Sequence, residues 1–363
     1  MSTRLLVYGA TGFTGGLVAA HAKHLRFPLT LAGRDARRVR AMAEPLGFPW
    51  LAFGLDGPAR LDEALRPFDA VLNIAGPFAA TARALAESCL RTRTHYLDLA
   101  GEPCVFEAME GLDARARAAG VMLMPGVGLI VLATDCLAAH VAGRLPGARR
   151  LRLGMAHTRA VSRGSLKTTI DQFGVAGGAV AVRRDGRLVS APPGRLEHWF
   201  DYGEGLRVSA ALGWPDLITA HHSTGIPDIE VYLEVGALAR HCFALGGLLA
   251  APMRSPPWRA LMEAQARLWP EGPSQAWRDD NPRIFVAEAE DRWRRKAISR
   301  LRAPNGYDFT PVCALAVAEE VLAGHFSPGF QTPAKLYGAD FVMRFPGVYR
   351  EDFDGHGRAL PPA

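Results

Sequence analysis

The sequence predicts a two-domain α/β protein, with an N-terminal doubly wound parallel sheet followed by an α+β domain built on a mixed sheet. Three observations predict it. An apolar run, a glycine-rich turn and a helical pattern follow one another in RLLVYGATGFTGGLVAAHAKHL (4–25). Apolar runs and helical patterns then alternate through VMLMPGVGLI (121–130), the sixth such run. Beyond about residue 150 strand-like alternation such as RRLRLGMAH and PRIFVAEAED is separated by Gly- and Pro-rich loops. At 363 residues and 49% hydrophobic, the chain is too long for one ordinary core and long enough for two.

The elements follow in order. RLLVY (4–8) reads as a strand buried on both faces, as parallel strands are, and LVAAHAKHL (17–25) has apolar residues at helical spacing. PLTLAGRD (28–35) reads as strand two, WLAFGLD (50–56) as strand three, ARLDEALR (59–66) as a helix and DAVLNIAGPF (69–78) as strand four. AATARALAESCLRT (79–92) is helical, THYLDLAGE (94–102) is strand five, CVFEAMEGLDARARAAG (104–120) is mainly helix, and strand six closes the set. Six strands joined by five crossovers make a Rossmann-type sheet. TDCLAAHVAGRL (134–145) is a helix on that sheet. The expected domains are 1–148, 149–307 and a C-terminal helix and tail, 308–363.

The turn carries glycines at Gly9, Gly12 and Gly15. In such a unit the first allows a tight turn, the second lets a pyrophosphate approach the backbone, and the third packs helix on strand. The positive end of the helix then favours the phosphates. Gly9, Thr11, Gly12, Phe13, Thr14 and Gly15 are assigned to this role. Strand two ends in Gly33 and Arg34, where an acidic residue would hold the ribose 2′-hydroxyl of NAD. A small residue followed by a guanidinium suits a 2′-phosphate instead, so the expected cofactor is NADP, with Asp56 near the adenine. A polar loop shared with Arg37 and Arg38 is the alternative reading of Arg34.

Ligands of such sheets lie beyond the carboxyl ends of the strands. That places Asn73, Ala75, Gly76, Pro77, Phe78, Asp98, Gly101 and Glu102, with Pro125, Gly126 and Gly128, around the pyrophosphate and the nicotinamide. In the second domain Ser162, Arg163, Ser165, Lys167 and Thr168 form one polar cluster and His221, His222, Ser223 and Thr224 another. Arg163 and Lys167 could clamp a carboxylate or phosphate arm, and Lys167 or His222 is the candidate catalytic residue. Turn, cap and loop hydrogen-bonding roles are the alternatives.

GATGFTG, LAGRD, NIAGPF, THYLDLAGE and MPGVG, in this order, resemble the NADP-binding domain of the saccharopine dehydrogenase-like oxidoreductases, a family that includes saccharopine reductases and trans-acting enoyl reductases. SRGSLKT, HHSTGIP and FSPGFQTPAKLYG resemble its less characterised members. The resemblance implies a nicotinamide cofactor and a final helix, FTPVCALAVAEEVLAG (309–324), that returns to the nucleotide domain. It also implies hydride transfer to a small acceptor bound between the domains, an imine or carbonyl on one branch and a conjugated enoyl thioester on the other. A non-catalytic NADP sensor or docking partner of a lipid-assembly enzyme is the second hypothesis.

Other classes are excluded or bounded. A short-chain dehydrogenase needs Tyr and Lys four apart on a helix, and none of the seven tyrosines has Lys at that position. The net charge of +6 is spread along the chain among 36 acidic residues, which argues against nucleic acid as a partner. Cys89, Cys104, Cys136, Cys242 and Cys313 are scattered without metal-ligand spacing and are expected to be buried reduced thiols of a cytoplasmic protein with no metal. A strand and turn stand where a signal peptide would carry its apolar core. The apolar stretch 235–253 contains Arg240 and His241, so it is no membrane span, and 235–258 is left as a candidate contact with a lipid surface or partner. A sheet-bearing second domain suggests a homodimer.

Overall fold

The computed structural model describes residues 4–156, 180–192, 196–236, 255, 258, 264–265, 272–279 and 281–361. The chain folds as two compact units, residues 1–132 with 306–336 and residues 133–305 with 337–363.

The first unit is built on a parallel sheet. Its strands are β1 (Leu5–Tyr8), β2 (Leu29–Gly33), β3 (Trp50–Ala52), β4 (Ala70–Asn73), β5 (His95–Asp98), β6 (Met122–Met124) and β15 (Gly329–Phe330). Across the sheet they run in the order β15-β6-β5-β4-β1-β2-β3. β1, β4, β5 and β6 are apolar almost throughout because helices cover both faces of a parallel sheet, and Leu5, Leu6, Val7, Val71, Leu72 and Leu97 are fully buried. The order reverses between β1 and β4, which makes the crevice beyond Tyr8 and Asn73 the switch point of the sheet. Where six strands were expected, the described residues form seven. Gly329 and Phe330 pair with β6 from the far end of the chain.

Helices α1 (Phe13–Leu25), α2 (Ala36–Leu46), α3 (Pro58–Leu65), α4 (Phe78–Thr92), α5 (Pro103–Gly111), α6 (Asp113–Ala119) and α7 (Leu129–Arg144) follow the strands in turn. Ala82, Leu85, Ala86 and Cys89 give α4 its buried stripe at helical spacing. The helical pattern of 104–120 breaks in two at Leu112. A further helix, α9 (Gly306–Leu322), joins this unit and buries Phe309, Cys313, Leu315, Val317 and Val321, as the resemblance implied.

The second unit is built on a mixed sheet, to which the described residues contribute nine strands. Its main path is β10 (Glu197–Asp201), β11 (Leu206–Ala211), β12 (Asp228–Glu234), β7 (Arg150–Met155), β13 (Arg283–Glu290), β14 (Lys296–Ala303) and β16 (Tyr349–Phe353), with the hairpin β8 (Val180–Arg184) and β9 (Arg187–Ala191) paired to β12. β12 and β7 are parallel, and the other pairs among the described residues are antiparallel. Helix α8 (Asp216–Thr224) precedes β12. The tail corrects the expectation that all of 308–363 packs on the first unit: β16 pairs with β14, where Ser299 donates to Asp352 across the pair. Residues 133–144 also group with the second unit rather than with the first 148 residues.

Candidate functional site

Each glycine of the turn has a different constraint. Gly9 sits at φ +93°, and a Cβ there would lie 2.6 Å from the backbone nitrogen of Ala75, so β1 and the loop after β4 approach each other as closely as backbone allows. A Cβ on Gly15 would lie 2.3 Å from the carbonyl oxygen of Ala10, which presses the first turn of α1 onto the loop. A Cβ on Gly12 would meet only the Gly9 carbonyl, at 3.6 Å. Among the described residues nothing else lies within 4 Å of that position, and Gly12 is exposed.

Helix termini beside this loop are treated unequally. The Asp35 carboxylate caps α2, accepting from the backbone N–H groups of Arg37 and Arg38 at 3.0 and 3.2 Å. The Glu102 carboxylate caps α4, taking Phe78 N–H at 2.9 Å and Ala79 N–H at 2.6 Å. Helix α1 has Gly12 at its N-cap, which has no side chain to cap with, and no acidic residue in its first turn. An anion therefore meets a competing carboxylate at α2 and at α4.

Arg34 is exposed at the end of β2. Its charge and that of Asp56 both reach the Tyr8 hydroxyl, which burial pushes up from its ordinary pKa, Arg34 pulling it down and Asp56 up. Tyr8 donates to the Phe53 carbonyl at 3.2 Å. The Arg38 guanidinium lies 3.4 Å from the Thr11 carbonyl, which brings a second cation from the polar run 34–38 to the glycine loop. Arg38 had no distinguishing signal in sequence, being one of three arginines in RDARR; one turn of α2 selects it.

The polar groups at the ends of β4 and β5 are engaged within the fold. Asn73 takes Ala75 N–H on its oxygen at 3.0 Å and donates to the Thr81 hydroxyl at 3.1 Å and the Tyr96 hydroxyl at 3.2 Å. Tyr96 donates to Asp98 at 2.8 Å. The other Asp98 oxygen accepts from Ala100 N–H and Gly126 N–H, each at 2.8 Å. Asn73 and Asp98 are fully buried and Glu102 nearly so, and burial pushes Asp98 up to about 6. Gly76, Pro77 and Phe78 form the loop into α4, with the Gly76–Pro77 bond cis. Gly126 is in the left-handed region at φ +73°, with the Phe106 ring 2.7 Å from where a Cβ would be.

Of the second-unit candidates, Ser162, Arg163, Ser165, Lys167 and Thr168 lie outside the described residues, as do most of 235–258 and Cys242. His221, His222, Ser223 and Thr224 sit on α8 rather than in a loop. The His221 ring nitrogen Nδ1 bonds to the Ile226 carbonyl oxygen at 2.9 Å, and Ser223 donates to Asp135 at 2.7 Å. Both contacts are of the helix-closing and packing kind. Asp216 opens the same helix, fully buried, and was not singled out in the sequence. Cys89, Cys136 and Cys313 are buried, while Cys104 is exposed on α5, contrary to expectation. Among the described residues no group of three or more His, Cys, Asp or Glu could hold a metal ion, and no helix is long and apolar enough to cross a membrane.

Residues 5–124 match the family model of the saccharopine dehydrogenase NADP binding domain. A saccharopine dehydrogenase-like oxidoreductase of Mus musculus is 27% identical over 189 residues, which cover 47% of this chain and 40% of that protein. A trans-acting enoyl reductase of Mycobacterium ulcerans is 32% identical over 105 residues, 27% of this chain and 25% of that protein. The chain thus spans 40% or less of the length of these two curated relatives. Among solved structures, the saccharopine dehydrogenase (L-Glu forming) of Saccharomyces cerevisiae superposes with a TM-score of 0.62 at 13% identity, covering 97% of this chain and all of that one. The homospermidine synthase of Legionella pneumophila in complex with NAD gives 0.60 at 10% identity, covering 96% of this chain and 91% of that one. At these identities the two likenesses speak for the fold.

Proposed function

We propose that this chain, whose N-terminal domain is of the saccharopine dehydrogenase NADP-binding type, is an NADP(H)-dependent oxidoreductase that reduces a small-molecule acceptor. The observation that carries the reading is the glycine loop at the N-terminus of α1, at the switch point of the sheet, where among the described residues a Cβ on Gly12 would meet only the Gly9 carbonyl and Arg34 and Arg38 stand close by. Gly9, Thr11, Gly12, Phe13, Thr14 and Gly15 would receive the pyrophosphate, and Gly33, Arg34 and Asp56 the adenosine end. The caps Asp35 and Glu102 direct a bound phosphate away from α2 and α4. Arg34 and Arg38 are the guanidiniums that would pair with a 2′-phosphate, since Asp35 already occupies the backbone donors of α2. Ala75, Gly76, Pro77, Phe78 and Gly101 would border the nicotinamide end.

The bound dinucleotide supplies the hydride, and the chain supplies orientation and a dry surface. The acceptor carbon is made electrophilic by the C=N or C=O bond of an imine or carbonyl, or by conjugation with the thioester of an enoyl group; the enoyl case asks least of the protein, because water can protonate the enolate that forms. The reading takes the protein to be a cytoplasmic homodimer, supported by the reduced, buried Cys89, Cys136 and Cys313 and by the edge strands β10 and β16 of the second sheet.

Calorimetric titration with NADPH and NADH tests it. NADPH binds at least about tenfold more tightly than NADH, and Arg34→Ala removes most of that difference while leaving NADH binding unchanged. Equal affinity for the two cofactors, or an equal loss of both in the variant, rejects the 2′-phosphate assignment. NADPH oxidation in the presence of imines, carbonyls and enoyl thioesters then identifies the acceptor.

A further inference from the structure

A single hydrogen-bonded chain crosses the carboxyl end of the parallel sheet: Thr81, Asn73, Tyr96, Asp98. Its ends are fastened to backbone. At one end the Thr81 hydroxyl donates to the Ala75 carbonyl at 2.7 Å while Asn73 accepts from Ala75 N–H, so both polar groups of that residue in the loop after β4 are held. At the other end one oxygen of Asp98 takes Ala100 N–H from the loop after β5 and Gly126 N–H from the loop after β6. Three successive loops at the ligand-binding edge of the sheet therefore depend on one side-chain chain.

The hydrogens run outward from the Asn73 amide, which donates to both the Thr81 hydroxyl and the Tyr96 oxygen; Tyr96 in turn donates to Asp98, so the carboxylate fixes the orientation of the Tyr96 hydroxyl. Asn73, Tyr96 and Asp98 are all fully buried, so none of them can meet a ligand except through the loops they hold. Nor does this arrangement serve stability cheaply. Burial pushes Asp98 up to about 6 although it accepts three hydrogen bonds, which means that desolvation outweighs them. An apolar strand end would fold at lower cost. The held loop after β6 is also tight: Gly126 has a positive φ and the Phe106 ring against it.

We propose that Asp98 is a positioning residue, which through Tyr96 and Asn73 locks the loops after β4, β5 and β6 into the shape that receives the nicotinamide half of the dinucleotide. The proposal rests on the NADP(H) reading above. It separates the two ends of the cofactor: the adenosine end rests on Gly33, Arg34 and Arg38, to which the chain makes no hydrogen bond among the described residues, and the nicotinamide end depends on it.

The test uses NADPH and adenosine 2′,5′-bisphosphate, which lacks the nicotinamide half, titrated into the full-length protein, Tyr96→Phe and Asp98→Asn. Asp98→Asn keeps an oxygen for the two backbone N–H groups and removes the acceptor of the Tyr96 hydroxyl; Tyr96→Phe breaks the same link from the other side. In both variants NADPH binds about tenfold more weakly or worse, and the bisphosphate stays within about twofold of wild type. Circular dichroism and thermal melting confirm that each variant is folded, and either one suffices if the other is not. Equal weakening of both ligands makes the chain merely structural and overturns the proposal, as does unchanged NADPH affinity in a folded variant. If wild-type protein binds the bisphosphate but gains nothing from the nicotinamide half, the positioning role falls while the 2′-phosphate site stands. If it binds neither, the cofactor reading itself falls, and the proposal with it.

Discussion

Asp216 shows how much a single buried carboxyl can govern the response of a protein to pH. Its two oxygens lie inside the second unit without a hydrogen bond of good geometry, the Thr134 hydroxyl facing them and the Asp135 carboxylate nearby. Burial first, then Asp135, raises its pKa to about 7. In the unfolded chain an aspartate titrates near 3.9. Between these values the folded protein holds a proton that the unfolded chain has lost, so stability falls as pH rises through that window, by on the order of 4 kcal/mol for this group alone. Asp216→Asn keeps the shape and cannot ionise. Urea unfolding at pH 5 and pH 8 will show the variant gaining on wild type as pH rises. A constant difference between the two would mean that the carboxyl is ionised in the folded state without penalty. Nothing in GWPDLITAHH marks this aspartate out, because the Thr134 and Asp135 side chains that act on it lie some 80 residues earlier. Asp98 was legible as a strand-end carboxylate, but its role was not. The i, i+2 pair Tyr96 and Asp98 shares a strand face, yet only the fold brings Asn73 to the tyrosine.

At the scale of the element, the strand, glycine loop and helix at 5–25 were readable because the order of apolar run, glycines and helical spacing admits few alternatives. The division of labour among the glycines was readable only as a rule about such units. Geometry gives it consequences. Gly15→Ala forces a Cβ against the Ala10 backbone, which cannot retreat without moving α1, and it should cost about 1–3 kcal/mol of stability. Gly12→Val puts its Cβ, among the described residues, against nothing nearer than the Gly9 carbonyl at 3.6 Å, on extended backbone, φ −82° and ψ 168°, where a β-branched residue is at ease. That variant should melt close to wild type and lose NADPH affinity by on the order of a hundredfold. Melting curves and NADPH titration of the two variants separate packing from ligand approach; a Gly12→Val protein that binds NADPH normally places the pyrophosphate elsewhere. Helix α1 also started earlier than its apolar spacing suggested, at Phe13, because glycines inside a first turn carry no hydrophobic signal.

For the whole molecule, the chain enters each unit twice, so no single cut separates them. The sequence showed that a parallel sheet is followed by a mixed one. It did not show β15, since two residues have no period, nor that the tail beyond 336 turns to the second sheet. The tail is held there by Asp352, whose carboxylate accepts from the Ser299 hydroxyl at 2.7 Å and from Arg144 at 3.1 Å and meets the His140 ring at 2.9 Å. Although burial alone would raise it, these partners together hold Asp352 below its ordinary pKa. Its contribution is thus present above the unfolded value and is lost as pH falls through the folded one. Asp352→Ala leaves Arg144 and Ser299 without that acceptor and should lower stability by about 2 kcal/mol at pH 7, with a smaller effect at acid pH. Because every group assigned to the cofactor lies within 1–132, the same variant should bind NADPH as wild type does. Thermal unfolding at two pH values, followed by NADPH titration, checks both halves. A variant that melts lower and also binds NADPH weakly would show that the anchoring of the tail is felt at the glycine loop, and that cofactor affinity belongs to the whole chain rather than to its first unit.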